Sequence, residues 1–176
     1  MIPAFPVPCI CWTWNLSTNS FEPETETDWQ IVGLGTHLSS DDAIGLRLVE
    51  ALARETGFES NCVLLENSDA ATVASSLIEW QKPVILVDAA DMNAAPGKHR
   101  FFSDEDASVI LKTSSVSTHG LGLAEGLGLA RALGFNRPVC IFGVQPFDIS
   151  PGRGLTPEMT ECFPSLLDEL RKSCRR

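Results

Sequence analysis

Apolar and polar positions along this chain switch repeatedly between two periods. Strand-length apolar runs, WQIVGL (29–34), NCVLLE (61–66), PVILVD (83–88) and PVCIFGV (138–144), alternate with stretches of helical spacing at 41–55, 69–80, 119–133 and from Pro157 onward. In the first helical stretch Ile44, Leu48, Ala51 and Leu52 share a face, while Arg47, Glu50 and Arg54 fall opposite. Pro96-Gly97 marks a turn, KHRFF (98–102) reads as a fourth strand, and SDEDASVIL after it reads as an acid-capped short helix. Thr118 is positioned to cap the helix that follows, whose glycines 120, 122 and 126 imply close backbone packing. The run 138–144 is continuously apolar, as a strand covered on both faces must be. Thr156 and Pro157 then supply the cap and first position of a terminal helix carrying Met159, Phe163, Leu166, Leu167 and Leu170, with Pro164 expected to kink it. Alternating elements with short links predict a three-layer α/β/α fold of about five mostly parallel strands with helices on both faces.

The first 28 residues depart from this rhythm. MIPAFPVPCICWTWNL lacks a basic leader region and is interrupted by three prolines, so it fits neither a signal peptide nor a membrane span, and it then turns acidic in FEPETETD. We expect an N-terminal extension over 1–28, poorly ordered, followed by a single domain over 29–176. At 176 residues and 44% hydrophobic content the chain can bury a full core. A formal charge of -10 argues against nucleic acid and anionic membranes as partners. Six cysteines without a C-x-x-C pair are the usage of a reduced, cytoplasmic protein, and the C-x-C of Cys9 and Cys11 reads as tail thiols rather than a metal site.

Candidate chemistry sits where strands give way to helices. GLGTHLSSDDAIG (33–45) carries a glycine-rich turn and two acids into a helix start, VILVDAAD (84–91) closes a strand with Asp88, and SVSTHGLGLAEGL (115–127) opens a helix with His119. In a doubly wound sheet such positions converge beyond the carboxyl ends of the strands. Asp42, Asp88 and His119 would then offer two carboxylates and an imidazole to a divalent transition ion, leaving positions open for water or a substrate carbonyl. Thiolate-free ligation admits zinc, nickel, cobalt or manganese. Each residue also has an ordinary role: Asp41 and Asp42 as first-turn acids, Asp88 as a cap of the next turn, His119 as a backbone-bonded histidine. His37, in the first loop, is a further candidate for orienting substrate or protons, with a solvated loop histidine as its alternative, and Glu125 reads as a solvated face. A dinucleotide site on Gly33 and Gly35 lacks the third glycine, with Leu at 38, although Glu66 imitates a ribose-binding acid.

Five pieces in order, GLGTHLSSDDAIG, VILVDAAD, SVSTHGLGLAEGL, GVQP and GLTP, give the chain a resemblance over roughly 29–170 to the nickel-iron hydrogenase maturation proteases. That resemblance implies a cytoplasmic endopeptidase that removes a C-terminal extension from a hydrogenase large-subunit precursor after nickel insertion. It maps the family's metal-binding residues onto Asp42, Asp88 and His119, with nickel carried by the substrate as the ion engaged, or zinc or a similar ion instead. Asp41, His37 and Glu66 are accessory candidates. Thr36 stands where the family usually has Asn, Ala43 where Gly is frequent, and ENSDAA (66–71) where relatives carry an Asp-Gly-Gly-Thr turn held to recognise the metal-loaded substrate. The altered turn motivates an alternative, a non-catalytic assembly or metal-sensing factor; a nucleotide-binding module is the third reading.

Overall fold

A computed structural model describes residues 12–15, 20–23, 29–103, 118–152 and 154–174, the first two segments and 118–122 by their backbone. Within the N-terminal extension, β1 (Trp12–Asn15) and β2 (Ser20–Pro23) pair as an antiparallel ribbon. The domain proper runs β3 (Gln30–Gly35), a 3-10 turn (Ser40–Ala43), α1 (Ile44–Leu52), β4 (Cys62–Glu66), α2 (Ala70–Trp80), β5 (Val84–Ala89), β6 (His99–Ser103), α3 (Thr118–Ala132), β7 (Val139–Val144) and α4 (Pro157–Cys174). The acid-capped helix expected after KHRFF, and Cys9 and Cys11, lie outside the described residues.

The main sheet has the order β4-β3-β5-β7-β6. Its first four strands are parallel, and β6 closes the edge antiparallel to β7. Strand alternation divides the core in two. Val32, Leu86 and Ile141 point to the layer of α2 and α3, where they meet Val73, Leu77, Leu127 and Ala130. Ile31, Ile85, Val87 and Phe142 point to α1 and α4, where they meet Ile44, Leu48, Leu52, Met159 and Leu170. The three-layer α/β/α fold is thus as the periodicity predicts, and His99–Ser103 and Cys62–Glu66 form its two edge strands. Burial pushes the Cys62 thiol up to about 11 and the Cys174 thiol up to about 12, so both behave as small hydrophobes.

Two glycines decide where the site falls. A Cβ on Gly45 would overlap the carbonyl oxygens of Val87 and Leu34, and one on Gly33 would come 2.7 Å from the Gly45 oxygen. The first turn of α1 therefore rests on the backbones of β3 and β5 without an intervening side chain. Gly126 does the same between α3 and α2, where a Cβ would meet the Ala70 oxygen at 2.9 Å, which accounts for one glycine of that helix. α4 opens as expected, with the Met159 amide donating to the Thr156 hydroxyl at 3.2 Å, and it continues through Pro164.

Candidate active site

From β3 the chain crosses to β4 on one side and returns to β5 on the other, so the order of strands reverses between β3 and β5. A sheet opens a crevice at the carboxyl ends of such a pair, and ligands bind there. The 3-10 turn Ser40–Ala43 packs on the ends of both strands, which places Asp42 at this crevice, and Asp88 is the second-last residue of β5. Asp88 is 3% exposed, and Asp42 is half-buried. The Asp42 carboxylate accepts the Thr36 amide at 2.9 Å, which fixes its rotation about the turn. Gly35 makes that turn possible: at φ +130° it occupies backbone space closed to other residues, and a Cβ there would strike the Asp42 carbonyl oxygen. His119 lies in the first turn of α3, and its side chain is outside the described residues.

Asp41, by contrast, faces inward and is fully buried. Its carboxylate accepts the amides of Phe147 (3.0 Å), Asp148 (3.2 Å) and Thr156 (2.8 Å), and the Thr156 hydroxyl at 3.0 Å. The Asp41 amide donates to the Asp148 carbonyl, and the Gly152 amide to the Leu38 carbonyl at 2.9 Å. One buried acid thus clasps the loop after β7 and the start of α4 to the first loop. A first-turn acid facing its own helix, the ordinary role open to it in the sequence, is not what the structure holds.

His37 and Glu66 meet. Glu66 Oε1 accepts the His37 amide at 3.0 Å and lies 3.1 Å from Nδ1 of the ring, whose Nε2 is 3.4 Å from Glu50 Oε1. The hydrogen bonds from the His37 amide and ring hold the Glu66 carboxyl below its ordinary value of 4.5. The ENSDAA turn keeps a tight geometry despite its composition. Asn67 takes φ +50°, a conformation Asn tolerates better than other side-chain-bearing residues, and its amide donates to the Gly35 carbonyl at 3.1 Å. Asp69 caps α2 by accepting the Thr72 amide at 2.8 Å, which keeps its carboxyl below the usual range.

Gln145, of GVQP, had no role assigned from its position in the sequence. Its Oε1 accepts the amides of Met92 (2.7 Å) and Ala94 (3.3 Å) in the segment after Asp88. Glu125 is exposed on α3. Among the described residues no three His, Cys, Asp or Glu side chains form a group able to hold a metal ion. The His119 ring, the third arm of the predicted set, is not among them.

These features define a class first: a doubly wound α/β domain whose carboxyl-end loops are cross-braced by the buried Asp41 at a strand-order reversal. Within that class, residues 46–173 match the family model for hydrogenase maturation protease, and the chain belongs to that family. It is a hydrolase, an endopeptidase of hydrogenase maturation. It is 29% identical over 147 residues to the hydrogenase 2 maturation protease of Escherichia coli (strain K12), covering 82% of this chain and 89% of that protein. Its fold matches the hydrogenase maturating endopeptidase HybD from E. coli with a TM-score of 0.70 at 27% identity, over 84% of this chain and 91% of the other. The [NiFe] hydrogenase maturation protease HybD from Thermococcus kodakarensis shares the fold, with a TM-score of 0.67 at 24% identity over 83% and 98% of the two chains.

Proposed function

We propose that this endopeptidase removes a short C-terminal extension from the precursor of a nickel-iron hydrogenase large subunit, in the cytoplasm, and does so only once nickel has been inserted. The observation that carries this reading is the seating of the Asp42 turn on both β3 and β5, the latter being the strand that carries the buried Asp88 near its carboxyl end. In this reading Asp42, Asp88 and the imidazole of His119 would together make a donor set of hard oxygens and one nitrogen without thiolate. Such a set suits an ion that arrives with part of its coordination supplied by the substrate. In this reading nickel belongs to the precursor. When engaged it supplies Lewis-acid polarisation or anchoring. The chain's own contribution is positional: Asp42 is held by the Thr36 amide, and the loops around it are locked by Asp41 before any partner arrives.

The family turn at 66–71 is altered in composition, which is why a purely binding role is the competing reading. Asn67 in the left-handed region and Glu66 clasped by His37 give the turn the shape that glycine would otherwise supply, which favours retained activity. The test is to incubate the purified chain with nickel-loaded and with nickel-free precursor and to weigh the precursor afterwards. Loss of a C-terminal peptide from the loaded form alone is the expected result. Co-elution of an uncut, nickel-loaded precursor would support the binding factor instead, and cutting of both forms would remove nickel from the account. No helix among the described residues is long and apolar enough to cross a membrane.

A further inference from the structure

The segment leaving β5 carries Asp88 at the site and then runs from Ala90 to Lys98 without helix or strand before β6 begins at His99. Irregular backbone of this length holds one conformation only where its amides are tied down from outside. Most of the ties come from Gln145, the first residue after β7. Its side-chain oxygen accepts the Met92 amide at 2.7 Å and the Ala94 amide at 3.3 Å, and its Nε2 lies 3.4 Å from Asp91 Oδ1. Its backbone amide donates to the Lys98 carbonyl at 2.8 Å, and its carbonyl accepts the Gly97 amide at 2.9 Å. One residue therefore grips both limbs of the loop. The side-chain bonds reach the limb that descends from Asp88, and the backbone bonds reach the limb that enters β6.

We propose that Gln145 is a positioning residue for the peptidase reaction: by fixing residues 91–94 it holds the exit of β5, and so Asp88, in working geometry. The inference rests on the protease reading and adds a residue to it. The amide side chain suits the task chemically. A carboxylate at 145 could accept the two backbone amides but would face the acid of Asp91, and an apolar side chain would leave both amides without their acceptor. Gln145 touches no reacting atom in this scheme. Its effect travels through the loop, and small displacements of a reacting group are costly.

The test uses the full chain and its nickel-loaded precursor, with amide hydrogen exchange measured on the same preparations. Gln145→Ala should lower kcat about tenfold or more while KM stays within about twofold. Exchange at the Met92 and Ala94 amides should quicken about tenfold, with Ile141 and Phe142 in β7 unchanged, so that loosening of the loop is separated from unfolding. Gln145→Glu should also impair processing, and adding Asp91→Asn should recover most of the loss by removing the like charge. Asp91→Asn should give no recovery in the Gln145→Ala background. Wild-type kcat in Gln145→Ala, or a fall in kcat with unchanged exchange at Met92 and Ala94, would overturn the inference while leaving the protease reading intact. A wild-type chain that cuts no precursor would overturn both.

Discussion

Asp41 offers the sharpest test of how the site is built, because one fully buried carboxylate receives four hydrogen bonds from two distant segments. In Asp41→Asn an oxygen in the Oδ2 position keeps three of them, weakened by loss of the charge, while the amide nitrogen is turned toward the Thr156 N–H donor. A hydrogen bond to a charged acceptor contributes about 1.5–3 kcal/mol, but Phe147 and Asp148 lie on an exposed loop and recover part of the loss from water. Removing a buried charge also regains some desolvation. The net expectation is a loss of about 2 kcal/mol for Asp41→Asn and about 4 kcal/mol for Asp41→Ala, where all four donors lose their acceptor. For a domain of this size that corresponds to a fall in Tm of about 4–8 °C and about 8–16 °C. Urea unfolding followed by circular dichroism, with the m-value checked for constancy, measures it. An Asp41→Asn variant within about 0.5 kcal/mol of wild type would refute the clasp.

Other consequences follow from the same geometry. Gly45→Ala should cost about 3 kcal/mol or prevent folding, read as soluble yield and urea midpoint, because its Cβ has no room between the Val87 and Leu34 carbonyls. Asn67→Ala should lose about 1 kcal/mol while Asn67→Gly is neutral or slightly stabilising, since the position sits at φ +50°; thermal melts of the two variants decide it. The depressed Glu66 carboxyl contributes stability that is present above pH 4.5 and lost as pH falls through its lower folded value. The contribution is under about 1 kcal/mol, because the pair is solvent-screened. Urea midpoints between pH 6 and 3 should therefore fall less steeply in Glu66→Gln than in wild type.

The layers of this fold were legible because each apolar run has strand length, each intervening stretch keeps a helical face, and Thr156-Pro157 announces a helix start. The arrangement around Asp41 was not. Its partners lie 106 to 115 positions away, and no local pattern marks an acid that turns from its own helix toward a distant loop. GVQP and GLTP stood out as motifs, yet only the folded chain shows that the first ties down the segment after Asp88 and the second delivers Thr156 to Asp41. Asn67 carried a fainter signal, as Asn is among the few side-chain-bearing residues that accept a positive φ. Asp42 and Asp88 stand near strand ends in the sequence itself, and the parallel pairing of β3 with β5 is what sets those two ends side by side.

Whether Asp42, Asp88 and His119 act together on one cation carried by the precursor is tested most directly by the intact mass of nickel-loaded precursor after incubation with His119→Ala. The expected variant is folded, with the wild-type circular dichroism spectrum, and leaves the precursor at full mass while the wild-type chain trims it. A trimmed precursor from that variant, at a rate near wild type, would contradict such joint action.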